Sequence, residues 1–145
     1  MTEQVKAWCY RQCELQHATT IEDFDGMENA WEAAAIRAKI GAPLTVGKIQ
    51  QLARVIDPVA NPNGRFRTGP AVFMGGGSAV DADLIGGALD YLFTQLRVYD
   101  MTPPEFYREL MWIHPMKDGN GRLGALVYNI LNGTIDNPVN PPEYK

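Results

Sequence analysis

Nine consecutive residues hold most of the chemistry available to this sequence: His114-Pro115-Met116-Lys117-Asp118-Gly119-Asn120-Gly121-Arg122. Transfer of a phosphoryl or nucleotidyl group needs a base for the attacking hydroxyl, a hard oxygen ligand for a divalent cation and donors for phosphate oxygens. All three types are present. Pro115 disfavours helical dihedrals in the residue before it, so a helix arriving at His114 should end there and leave the imidazole at a helix-to-loop corner. A histidine near neutral pKa held at such a corner is suited to accept a proton from a hydroxyl. Asp118 supplies a carboxylate, and Mg²⁺ typically takes one or two of these alongside substrate phosphates. Gly119 and Gly121 let the backbone curl closely, and the helix that follows opens with unpaired N–H groups, which make an anion site. Arg122, in its first turn, has the fork for a bidentate phosphate contact. Singly, each residue has an ordinary explanation: a surface histidine, a Gly-Asn-Gly turn, a solvated arginine. Their combination between two well-marked helices favours function.

The elements that position this loop are mostly helical. Thr2 to about Gln16 reads as a first helix with Val5, Trp8, Cys9 and Leu15 as apolar points, ended by a polar stretch through Asp25-Gly26. Glu28 to Ile40 is an Ala-rich second helix stopped by Gly41-Ala42-Pro43. Thr45 caps a third, in which Ile49, Leu52, Ala53 and Ile56 keep the helical stripe until Pro58. Asn61-Pro62-Asn63-Gly64 is a dense turn signal. Arg65-Phe66-Arg67-Thr68 and Ala71-Val72-Phe73-Met74, on either side of Gly69-Pro70, predict a small β-hairpin, the one strand-like element, with Arg65 and Arg67 on one face. A central helix should begin near Asp81 and bury Leu84, Ile85, Leu89, Leu92, Phe93 and Leu96, with Gly86-Gly87 admitting close approach of another helix. Thr102-Pro103 opens the helix that runs to Ile113, and the last period, Leu123 to Leu131, ends at Asn132-Gly133. Pro138, Pro141 and Pro142 prevent its continuation.

The chain has 145 residues, 46% of them hydrophobic, with 13 basic and 17 acidic side chains and a net charge of −4. One single domain is expected, 1–145, large enough to bury roughly 70% of the surface its unfolded form exposes. The acidic balance argues against nucleic acid as a partner. No apolar run approaches the roughly 20 residues that cross a bilayer, and the first residues lack the apolar core of a signal peptide, so no membrane partner and a cytoplasmic location are expected. Cys9 and Cys13 share a helix face with His17, but no fourth ligand accompanies them and the spacing is not that of a zinc finger; reduced thiols are the expectation. Trp8, Trp31 and Trp112 read as core or interface packing.

The nine-residue segment closely resembles the signature of the Fic (filamentation induced by cAMP) family, His-Pro-Phe-x-Asp/Glu-Gly-Asn-Gly/Lys-Arg. Seven of its eight specified positions are met, with Met116 in place of Phe. The resemblance covers about residues 28–133, beyond which lie the first helix, 2–16, and a Pro-rich tail, 134–145. It implies a mainly α helical bundle with a β-hairpin flap, formed here by Arg65, Phe66, Arg67, Thr68 and the residues after them, beside the active-site loop. It also implies a protein adenylyltransferase that moves AMP from ATP to a Ser, Thr or Tyr hydroxyl of a target protein. By matching positions His114 would be the base and Asp118 would hold Mg²⁺. Gly119, Asn120 and Gly121 would form the anion hole, Arg122 would neutralise phosphate charge, and the flap would pair with an extended target segment.

Two departures from the family pattern stand out. Active members commonly carry a second arginine three residues after the first, and here that position is Ala125. Many also carry an inhibitory Ser/Thr-x-x-x-Glu-Gly/Asn helix; the nearest candidate is Glu28-Asn29, with Phe24 where the hydroxyl residue belongs. Three readings remain open: an enzyme free of that self-inhibition or restrained by a separate small inhibitor protein, a relative using another phosphate-linked donor such as another nucleotide or phosphocholine, and a non-catalytic binding module.

Overall fold

The structure is a computed structural model and describes residues 1–73 and 76–143. Met74, expected to end the second hairpin strand, lies outside the described residues, as do Gly75, Tyr144 and Lys145.

Local capping sets most of the helix starts. Thr2 accepts from Val5 N–H and opens α1, Glu3–Leu15; Thr45 accepts from Lys48 N–H and opens α3, Val46–Ile56. Thr102, followed by proline in the first turn, opens α5, Pro103–Ile113. The helix α6, Asn120–Asn132, ends at Gly133 in the left-handed conformation. These four agree with the sequence reading.

The second helix does not begin at Glu28. It is α2, Ile21–Lys39, started by a capping box in which the Thr20 hydroxyl accepts from Asp23 N–H and the Asp23 carboxylate accepts from Thr20 N–H. Asp25 and Gly26, read as a break, lie inside it. A Cβ at position 26 would stand 2.5 Å from the carbonyl oxygen of Ile56, so the glycine there lets α2 and α3 approach. The fourth helix, α4, Ile85–Val98, follows a short 3₁₀ turn at Ala82–Leu84. Gly86 and Gly87 fall in its first turn, and a Cβ at either meets nothing within 4 Å, so they accommodate no neighbouring helix.

Among the described residues the expected two-stranded hairpin is not seen. Residues 65–73 and 76–80 form an irregular arm with one isolated antiparallel bridge, Val72 to Ser78, flanked by Phe73 N–H to Gly77 O (2.7 Å) and Ala79 N–H to Ala71 O (2.9 Å). Pairing begins only after Pro70 because Arg67, expected outside, is drawn into the protein by carbonyls it serves.

The core is centred on α6, which packs against α1, α2, α3 and α5, while α4 lies on α3 and α5. Leu123, Leu126 and Val127 are buried there with Trp31, Ile49, Phe93, Phe106 and Leu110. Trp31 donates its indole N–H to Ile135 O (2.8 Å) and stacks near Trp8, whereas Trp112 is half exposed beside Phe73. The Pro-rich tail is held: buried Asn129 donates to Ala125 O (2.8 Å) and Val139 O (3.1 Å) and accepts from Val139 N–H (2.9 Å). Cys9 and Cys13 are free and fully buried, and burial pushes their thiols up to about 12 and about 11.

Candidate active site

The loop joining α5 to α6 brings the predicted chemistry together. His114 caps α5 with φ of 50° and ψ of 62°, donating its main-chain N–H to Leu110 O (2.9 Å). This left-handed conformation costs a non-glycine residue about 1 kcal/mol or more, and the proline after it removes the helical alternative. The imidazole is partly buried. Burial is the main cause holding its pKa below the usual histidine range; the Met111 carbonyl and Asp118 favour its protonated form, and Arg67 opposes it. Its Nδ1 is buried and makes no hydrogen bond, and the Phe73 ring stands edge-on at 5.5 Å between centroids. A neutral imidazole at neutral pH is a proton acceptor.

Asp118 is exposed, and its Oδ1 accepts from Gly119 N–H (2.8 Å). Its main-chain carbonyl is held by Asn61 Nδ2 (2.9 Å), which also reaches Ala53 O (3.3 Å). Sequence reasoning assigned Asn61 only to a turn; its complete burial behind the loop shows that it braces the Asp118 main chain. Gly119 takes φ of 81° to turn the chain into α6. The first helical bond is Leu123 N–H to Gly119 O (2.9 Å), so the amides of residues 120–122 precede the ladder and carry the positive end of the helix dipole.

Two expected anion contacts are arranged differently. The Asn120 side chain is buried and spends both its groups on Met116, accepting from its N–H (2.9 Å) and donating to its carbonyl (2.8 Å). It therefore staples the loop, and of Asn120 only the main-chain amide remains for an anion. Met116 fills the core at the position where Phe is usual. Arg122 is also buried, its guanidinium lying beneath Gly119 and 3.7 Å from Asp23 and 4.0 Å from Asp57. Its Nε and Nη1 have no hydrogen-bond partner. Against Gly121 lies the Gln16 side chain, which a Cβ there would meet at 2.3 Å. Neither Gln16 nor the two aspartates carried a sequence signal, because each reaches the loop from a different helix end.

Of the expected flap residues, Arg65 and Thr68 are exposed, Phe66 is half-buried against the core, and Arg67 is buried under His114. Arg65 and Arg67 do not share a face. A groove of about 640 Å³ between α1, α2 and the tail touches none of the loop residues.

The Mg²⁺ expected at Asp118 can be weighed against this donor set. Among the described residues no three His, Cys, Asp or Glu side chains converge, so no all-protein cage exists. A single exposed carboxylate beside a helix N-terminus suits a cation that takes the rest of its ligands from substrate phosphates and water.

The described residues are mainly helical, with α5 ending at His114, an Asp-Gly-Asn-Gly loop after it and α6 opening at Asn120. No family model and no curated protein matches the chain. Solved structures do. It is similar to a Fic domain containing signaling protein from Bacteroides thetaiotaomicron, 25% identical over 76% of this chain and 47% of that one, with a TM-score of 0.60. It is similar to Fic-1 from C. elegans, 19% identical over 95% and 50%, with a TM-score of 0.71. A Fic family protein from Desulfovibrio desulfuricans is 19% identical over 89% and 46%, with a TM-score of 0.66. The chain spans about half the length of these structures. It has the Fic fold. No helix among the described residues is long and apolar enough to cross a membrane.

Proposed function

We propose that this chain is a protein nucleotidyltransferase that moves AMP from ATP to a Ser, Thr or Tyr hydroxyl of a target protein. The observation that carries the reading is the partly buried His114 imidazole, its pKa held down by burial, at the end of α5 in the loop that leads into α6 on a Fic fold. The target hydroxyl oxygen attacks the α-phosphorus, its proton passes to the imidazole, the new O–P bond forms, and the bond to the β-phosphate oxygen breaks to release pyrophosphate. The amides of residues 120–122 bind phosphate oxygens, and Arg122 beneath the turn adds positive field. Asp118 would hold Mg²⁺, which when bound would neutralise charge developing on the leaving group. The exposed Val72 and Ser78 of the arm, with Arg65 and Thr68 at its base, would take an extended target segment by main-chain pairing.

The test is incubation of the whole chain with Mg²⁺ and ATP labelled on the α-phosphate, with target lysate present. The expected result is protein-bound label that His114→Ala abolishes. Label retained in that variant removes His114 as base. Ala125 supports a second reading. It is buried, so the position that commonly holds an arginine in the family it resembles carries a packed methyl with no donor for a terminal phosphate. Label from the γ-phosphate, or thermal stabilisation by CDP-choline and not by ATP, would favour this different phosphate-linked donor.

A further inference from the structure

One side chain joins the arm before α4 to the corner after α5. Arg67 is 6% exposed and its guanidinium donates to four main-chain carbonyls: Nε to His114 O (2.6 Å), Nη2 to Ile113 O (3.1 Å) and to Val80 O, and Nη1 to Gly69 O (2.8 Å). Its own N–H donates to Pro115 O (2.9 Å). The Ile113 and His114 carbonyls stand at the end of α5, where they have no intrahelical partner and where a cation is favoured. Gly69 and Val80 are the two stems of the arm that carries Phe73, whose ring lies edge-on to the imidazole at 90°. Among the described residues Arg67 has no ion pair, so its fork is committed to carbonyls. Lysine, with three donors on one atom, cannot reproduce this geometry.

We infer that Arg67 is the positioning residue of the His114 corner. It fixes the main chain on both sides of the imidazole and closes the base of the arm that presses Phe73 against the ring. Substrate does not touch it. The kinetic consequence rests on the transfer reaction proposed above; the structural one does not.

The experiment compares the whole chain with Arg67→Met and Arg67→Lys. Ring-proton NMR reads His114 directly, since His17 is the only other histidine and is exposed, which makes it an internal reference. The expected result for Arg67→Met is loss of the Phe73 ring-current shift and of the Phe73–His114 cross-peaks, with His17 unmoved. Transfer should fall about 100-fold in kcat, the effect of misplacing a reacting group by about 1 Å, with the KM for ATP changed by less than about threefold. Arg67→Lys, keeping the charge without the fork, should lose the same cross-peaks in part and at least about tenfold in kcat. A folded variant with unchanged His114 signals overturns the inference, as does a loss confined to KM. If Arg67→Met fails to fold, Arg67→Lys decides by the same signals. If the unaltered chain transfers nothing, the transfer reading fails while the ring signals still decide the role of Arg67.

Discussion

Arg122 is a nearly fully buried guanidinium, 2% exposed, whose Nε and Nη1 make no hydrogen bond. Its counter-charges, Asp23 at 3.7 Å and Asp57 at 4.0 Å, have side chains 23% and 18% exposed and remain partly hydrated. At an effective dielectric near 20 each pair contributes about 4 kcal/mol. Against that stand several kcal/mol for removing the guanidinium from water and about 1–3 kcal/mol for each donor left unmet. The opposing sums nearly cancel. Replacing Arg122 by methionine, which fills similar space without charge, should therefore change stability by no more than about 2 kcal/mol in either direction. The reverse cut behaves differently. In a double variant, Asp23→Asn with Asp57→Asn, the amide oxygens still accept from Thr20 and Ala60 N–H, so the cap of α2 and the turn after α3 survive. The arginine is then buried without compensation, at about 3–5 kcal/mol. For 145 residues the unfolding entropy is roughly 0.3 kcal/mol/K, so Tm should drop by about 10–17 K. Thermal and urea unfolding in reducing buffer at neutral pH measure both. An Arg122→Met variant that falls as far as the double variant refutes the reasoning, because the pair would then be a net stabiliser. With transfer assayed in parallel, Arg122→Met should fold and fail, as expected of a charge kept for chemistry at no gain in stability.

Three further outcomes follow from the loop and its packing. His114→Gly and His114→Ala both remove the ring, but glycine accepts φ of 50°, so the glycine variant should be about 1 kcal/mol more stable, and both should be inactive in labelling; equal Tm values would mean the corner relaxes on mutation. Because the folded pKa of His114 is depressed, its contribution to stability is present above the ordinary value of 6.5 and is lost as pH falls below it, and the acidic limb of the transfer rate should inflect below 6.5; an inflection above that value contradicts burial as the dominant influence. A Cβ on Gly124 would meet Met111 Sδ at 2.7 Å and the Tyr107 ring at 3.0 Å, so Gly124→Ala should cost about 1–3 kcal/mol in urea unfolding, whereas Gly121→Ala, opposed only by the exposed Gln16 side chain, should cost under about 1 kcal/mol.

What the sequence makes legible is what short-range chemistry decides. Thr2, Thr45 and Thr102 cap helices because the hydroxyl and the amide it serves lie within a few residues, and His114 ends its helix because of the proline beside it. Gly26 misleads because its helical penalty is local while its compensation, the approach of the Ile56 carbonyl, comes from another helix. Arg67 misleads in the same way: alternation places it beside Arg65, but unpaired carbonyls at the end of α5 draw it inward, and the strand expected around it does not form. The active loop has the same limit. Its residue types tell which groups are present, not which are already spent. Asn120 spends its amide on Met116, Gly119 its N–H on Asp118, and Arg122 its charge on two aspartates. The His114 ring, the outer oxygen of Asp118 and the first amides of α6 are left to meet a substrate. A reaction assigned to this loop has to run on one base, one carboxylate oxygen and a helix end, with Arg122 acting only through its field from beneath the turn, and that is enough for transfer between oxygens only if the substrate brings its own phosphates and shares their cation.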